Sequence, residues 1–208
     1  MQNNKNSILG PVSAALYVAF QVIANVLSTK IAILPWLSWS IDGGTVIYPL
    51  TFTLRDFVHK TLGKKNARVI VVLAGVVNIV MVLLFILVAK MQADPSWQFQ
   101  AAYEQILLPV WRITGASIIS QIISELVDTE IFSYAYKKTS DTAAVLFSNT
   151  VSLVIDSFLF SFLAFAGSLP MKVVLQIVAT NILVKMAMSL ISVPSIKWVP
   201  RQVGFEEI

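Results

Sequence analysis

The chain reads as an all-α, polytopic membrane protein with six transmembrane helices and both termini cytoplasmic, and three observations predict this. Hydrophobic residues make up 57% of the 208 and charged residues 12%, with a mean hydropathy of +0.78, whereas soluble domains carry roughly 25% charged residues. The apolar residues fall into stretches of about 20, the length that crosses a hydrocarbon core as a helix. Lys and Arg alternate between the intervening segments: Lys5, then Lys30, then Lys60, Lys64, Lys65 and Arg68, then Lys90, then Lys137 and Lys138, then Lys172, then Lys197 and Arg201. Basic residues accumulate on the cytoplasmic side of a membrane, so the richer segments and both ends are assigned inside. Six spans and their connections consume residues 1–208, which are read as a single transmembrane domain.

Composition also narrows the chemistry. Zero cysteines and one histidine, His59, leave no thiolate or His-rich metal constellation, so neither a metal nor another cofactor is expected. The net charge of +4 resides in the connecting segments, where topology accounts for it; membrane lipid is an expected partner and nucleic acid is not. No Gly-rich phosphate-cradling loop is present, and the chain is not expected to be an enzyme. Its first apolar stretch is too long for a signal peptide and is read as an uncleaved span.

Taken in order, span 1 covers Ile8 to Thr29 and places Gln21, Asn25 and Ser28 on one face near its end. The stretch from Ile31 to Gly44 is interrupted by Pro35 and the Gly43-Gly44 pair and carries Trp36 and Trp39, as an outer-surface loop or half-helix would. Span 2, Thr45 to Leu62, holds Arg55, Asp56 and His59 in one sector near its inner end, where ion pairing or a coupling or gating role for Arg55 and Asp56 are both open. Span 3, Ala67 to Ala89, is a scaffold with Asn78 as its one strongly polar residue. A polar external loop follows from Lys90 to Gln105, broken by Pro95.

Span 4, Ile106 to Tyr136, is the unusual one. Thr114, Ser117, Gln121, Ser124, Glu125 and Asp128 share one face of an otherwise apolar helix. A carboxylate at a bilayer centre costs about 2.5 to 3.5 kcal/mol on insertion scales, so such a stripe should face protein or a water-filled cavity. Glu130 points away from it, and Arg112 is expected at the outer interface or paired with an acid. Span 5, Ala143 to Gly167, repeats part of the stripe: S-E-L-V-D-T-E-I-F (Ser124 to Phe132) and S-L-V-I-D-S-F-L-F (Ser152 to Phe160) share S-x-x-x-D-[S/T]-x-x-F. On antiparallel helices the repeat can set Asp128 and Asp156 about a pseudo-two-fold axis, as transporters built from inverted repeats do. Ser148, Asn149, Ser152 and Asp156 share a sector of span 5. Span 6, Pro170 to Val193, adds Asn181 and Lys185 one turn apart.

At these residues the chain resembles the queuosine precursor transporter family, importers of 7-cyano-7-deazaguanine and related bases, also called vitamin uptake transporters. The resemblance runs over Asn25, the Y-P-L-T-F-T-L-R-D-F string, Asp128 and Phe132, Ser148, Ser152 and Asp156, and Lys185 with Pro194. Glu125 and Leu153 depart from it, since the family pattern has glutamine at both. The resemblance implies a cytoplasmic-membrane importer of a purine-like small molecule. A deazaguanine offers an N–H and an amino group side by side, which a carboxylate accepts bidentately, and a keto oxygen that needs a donor. Glu125, Asp128 and Asp156 are the candidate acceptors, Asn25, Asn149, Asn181 and Lys185 the donors, with Ser152 among the ligands and Phe132, Phe160, Phe52 or Tyr48 for stacking. The alternative is that these groups pair with one another and fasten the bundle. A substrate-binding subunit of a larger energy-coupled complex, docked through Ala15 and Ala19, and a homo-oligomer are left open, and an intramembrane aspartyl protease is a third, weaker reading.

Overall fold

The computed structural model describes residues 2–136 and 141–196; within those ranges the side chains of 2–7, 64, 125, 128, 129, 132, 133, 135, 136, 141–146, 148, 189 and 191–196 lie outside the described residues. Six α-helices account for most of it: α1 Gln2–Leu27, α2 Tyr48–Ala89, α3 Gln100–Leu107, α4 Val110–Tyr136, α5 Asp141–Phe165 and α6 Met171–Ile196. Among the described residues, four segments are long and apolar enough to cross a membrane, Ile8–Leu27, Lys65–Ala89, Gln100–Ser124 and Met171–Met188, with a shorter apolar helix at Asn149–Phe165. The lipid-compatible surface is plain on the second half of α2, where Val72, Leu73, Leu83, Leu84 and Leu87 are exposed. A surface of that composition has no solvent but hydrocarbon; the protein is a multi-pass membrane protein.

Spans 2 and 3 of the sequence form one continuous helical element, α2, bent at Gly63, whose φ of 83° and ψ of 166° are non-helical. A left-handed φ there is free of Cβ strain only for glycine, and this one residue redirects the chain between its two helical halves. The polar segment after α2 is not wholly a loop, because its second half forms α3. Before α3, Asp94 accepts hydrogen bonds from the Ser96 hydroxyl and backbone N–H, at 2.5 and 2.8 Å. These donors hold the Asp94 carboxyl below the usual carboxylate range.

The stretch from Ile31 to Gly44 is the main correction. Instead of a loop or half-helix it is a β-hairpin, β1 Ile31–Leu34 and β2 Trp39–Asp42, paired antiparallel with Ile31 opposite Asp42 and Leu34 opposite Trp39. A short 3₁₀ turn, Gly43–Val46, joins it to α2. Pro35 and Ser38, whose φ is +53°, lie in the reversal between the strands, and the exposed Ile33 and Trp36 mark the tip. The base is buried and tied to α6: Ser40 donates to the Gln176 side-chain oxygen from its hydroxyl at 3.0 Å, and Thr180 donates to the Ser40 carbonyl at 3.1 Å. Those polar contacts tie the base of the hairpin to α6.

The apolar core at this end joins α4, α5 and α6 through Ile113, Ala116, Ala164, Phe165, Val174 and Ile177, with Ile31 of the hairpin packed on it. Arg112, at the start of α4, donates to the backbone carbonyls of Leu163 (2.7 Å) and Ala166 and to the Ser168 hydroxyl (2.6 Å). The guanidinium thus satisfies orphan carbonyls at the C-terminus of α5, where a cation is also favoured by the helix dipole. Its described partners are carbonyls and a hydroxyl rather than an acid, and they set α4 and α5 antiparallel.

Candidate functional site

Beneath the hairpin, the last turns of α1, the start of α2 and the middles of α4, α5 and α6 surround a small pocket of about 20 Å³, room for about one water-sized group in this conformation. Four of the residues singled out from the sequence line it together: Asn25, Asp156, Asn181 and Lys185. Lys185 Nζ lies 2.6 Å from Asp156 Oδ2 in an ion pair whose side chains are 3% and 8% exposed. The same ammonium sits 5.1 Å from the centroid of the Tyr48 ring, which meets Phe52 edge-on at 5.5 Å. Phe160 is on the lining as well, and α4 contributes Ser117 and Ser120.

The Asp156–Lys185 pair is only partly satisfied. The ion pair uses Oδ2, and Asp156 Oδ1 has no hydrogen-bond partner among the described residues, while Lys185 has three donor hydrogens and one described acceptor. An acceptor and a donor therefore stand side by side in a low-dielectric pocket, where each is stronger than in water. Asn25 commits its amide N–H to Asn78 Oδ1 at 2.7 Å, and Asn78 in turn donates to the Ala74 carbonyl at 2.9 Å. The scaffold asparagine of span 3 thereby fixes the orientation of a pocket asparagine on α1.

Sequence reasoning missed Asp42, the most heavily bonded carboxylate in the described structure. At 1% exposure, its Oδ1 accepts from the Ser28 hydroxyl at 2.8 Å and the Thr45 N–H at 3.2 Å, and its Oδ2 from the Thr45 hydroxyl at 2.7 Å and Asn181 Nδ2 at 3.1 Å. The Thr45 hydroxyl also touches Asn181 Oδ1, and Asn181 Nδ2 reaches Ser161 at 3.3 Å. Four elements meet on one residue. The available signal was D-G-G-T, an aspartate cap followed by residues without side chains: a Cβ on Gly44 would lie 2.1 Å from Ser28 Oγ and 2.6 Å from the Ala24 carbonyl. Glycine alone lets this backbone press against the end of α1.

The other sequence candidates lie elsewhere. Asn149 is exposed and Ser152 half-buried, with the Ser152 hydroxyl donating to the Asn149 carbonyl at 3.1 Å; neither is on the pocket lining. Glu125, Asp128 and Phe132 belong to α4, with side chains outside the described residues, as is that of Ser148. Arg55 stands 5.9 Å from the Phe52 ring centroid, and Arg55 and Asp56 are half-buried on the first half of α2, away from the pocket lining. Glu130 is exposed. Among the described residues no cluster of His, Cys, Asp and Glu could hold a metal ion.

A helical membrane bundle with an ion pair and amides around an interior pocket has the architecture of a solute transporter. Residues 42–199 match the family described as "Putative vitamin uptake transporter", and the chain belongs to that family. It is similar to a protein of Bacillus subtilis (strain 168) named "Probable queuosine precursor transporter", at 29% identity over 158 residues that cover 73% of this chain and 68% of the relative. No solved structure matches the chain. The family match begins at Asp42 and takes in the 3₁₀ turn, both halves of α2, α4, α5 and α6.

Proposed function

We propose that this protein imports a queuosine precursor, 7-cyano-7-deazaguanine or a related deazaguanine base, across the cytoplasmic membrane for salvage into tRNA. The observation that carries the reading is the Asp156–Lys185 pair, which presents a carboxylate oxygen with no partner among the described residues beside an ammonium in a buried pocket. Asp156 accepts from the N–H and amino groups of a guanine-like edge, and Lys185 donates to its keto oxygen. Tyr48 and Phe160 cover the ring, while Asn25 and Asn181 supply amide groups. The name of the relative supports this substrate class, and the family match supports a role in uptake. Glu125, Asp128 and Phe132 on α4, and Asn149 and Ser152 on α5, join the site in a state that brings the other ends of these helices together, with Arg55 and Asp56 as coupling or gating groups.

In this reading six segments span the membrane, the two halves of α2 counting separately, and both termini are cytoplasmic. The hairpin then caps the pocket on the outer side. Uptake of labelled 7-cyano-7-deazaguanine, 7-aminomethyl-7-deazaguanine and queuine by cells unable to make the precursor tests the proposal. Import of at least one above the empty-vector level is expected. No import of any, with the protein present in the membrane, refutes it.

A further inference from the structure

The pocket in this conformation has room for about 20 Å³, whereas small-molecule sites run to roughly 300 Å³ and more. A wall has to part before a solute the size of a base can enter. The walls are held in different ways. On the hairpin side, Ser40 is bonded to Gln176 and Thr180, and Asp42 to Asn181, so moving β2 away from α6 breaks several hydrogen bonds together.

The wall made by α4 and α5 is not tied in this way at its buried serines. Ser120 and Ser124 lie seven and eleven residues beyond Ile113, and Ser157 lies seven before Ala164, spacings that keep one face of a helix. Ile113 and Ala164 belong to the core that joins the two helices, so the three serines face the seam between α4 and α5. All three are buried, and Ser120 also borders the pocket. None bridges the seam: Ser120 donates to the Ser117 carbonyl at 3.1 Å and Ser124 to the Gln121 carbonyl at 3.0 Å, both within α4. Ser157, at 0% exposure, has no partner for its hydroxyl among the described residues. Small residues let membrane helices pack closely, but alanine would do the same and strand nothing. An unmet buried hydroxyl is costly, and it gains a partner when water or a polar solute enters the seam.

We infer that α4 and α5 part along this seam, and that the hydroxyls of Ser120, Ser124 and Ser157 then line the enlarged chamber as hydrogen-bonding subsites for a polar heterocycle. This rests on the import reading above and supplies the space that reading needs.

The chain has no cysteine, so single thiols report on the seam. Ser157→Cys is compared with Ile122→Cys, at a position that is exposed and half a turn around α4 from Ile113. Full-length protein in proteoliposomes is treated with a charged methanethiosulfonate, which is attacked by the thiolate and therefore modifies sulfur that water reaches. The Ser157→Cys thiol is expected to react about ten-fold faster than the lipid-facing control. A thiol at 157 that reacts no faster than the control, yet reacts after denaturation in sodium dodecyl sulfate, overturns the inference. The double variant Ser120→Ala with Ser157→Ala tests the subsites. Its melting should match or exceed that of wild type, while uptake of the imported base falls about five-fold or more, the worth of one or two hydrogen bonds. Uptake as fast as wild type overturns the subsite role and leaves the import proposal standing. If wild-type protein imports none of the three bases, the import proposal falls, and the thiol comparison still decides whether the seam opens.

Discussion

Two buried aspartates within one pocket are built in opposite ways. Asp42 is heavily bonded, with its four described contacts coming from the turn after α1, the 3₁₀ turn and α6, and joins elements far apart in sequence. Asp156 has one described partner, the ammonium of Lys185, and an oxygen left over. A heavily bonded carboxylate holds structure; one with an oxygen to spare can exchange its partner for a ligand. Burial and charge are alike in the two, and the number of described donors per oxygen is what differs.

The largest effect should come from removing the heavily bonded residue. Asp42→Ala leaves the Ser28, Thr45 and Asn181 donors without their acceptor and opens the junction between α1 and α6. Each stranded buried polar group costs about 1 to 3 kcal/mol, so a loss of about 3 kcal/mol or more is expected. Thermal melting in detergent measures it. A melting temperature within a degree or two of wild type would mean that Asp42 fastens nothing.

Asp156 should behave differently because two roles can be pulled apart. Asp156→Asn is expected to weaken binding of the transported base by roughly 10-fold to 150-fold, the worth of a charged hydrogen bond. It also strands Lys185 as a buried cation, which costs stability. The charge-neutral double variant Asp156→Asn with Lys185→Met should regain most of that stability and none of the binding. Recovery of binding in the double variant would reduce the pair to a fastener of the same kind as Asp42.

Much of this contrast was legible in the sequence, and the part that was not has a physical reason. Asn25, Asp156, Asn181 and Lys185 sit on long helices, where a 3.6-residue period turns spacing into a shared face; the structure gathers all four at one pocket. Asp42 escaped because it belongs to a four-residue strand, too short for any period to declare itself, and its partner Asn181 lies on a helix more than a hundred residues away. Arg112 was legible as a residue of the helix end but not in its partners, since carbonyls released by the end of another helix leave no mark in the sequence. On α4 the polar stripe reaches the pocket at Ser117, beside Ser120, which the stripe did not include.

Arg112 provides a control on the structural side of the comparison. Arg112→Ala removes the described donors to Leu163, Ala166 and Ser168 without touching the pocket lining. A drop of about 1 to 3 kcal/mol in stability is expected, with binding of the base by the folded fraction within a few-fold of wild type. A large loss of affinity in well-folded protein would place the outer end of α4 and α5 in the site itself.

The smallest effect is expected at Glu130, and it tests the helical phase on which the span 4 stripe rests. Glu130 lies two residues beyond Asp128, which turns it about 200° around the helix, and it is exposed in the structure. An exposed carboxylate on the face away from the stripe neither meets the base nor holds a neighbouring helix. Glu130→Gln should therefore leave uptake within a few-fold of wild type and melting unchanged. If uptake disappears while the protein remains folded and in the membrane, then α4 presents a different face to the substrate path. The stripe of Ser117, Gln121, Ser124, Glu125 and Asp128 would then have to be reassigned to holding the bundle together.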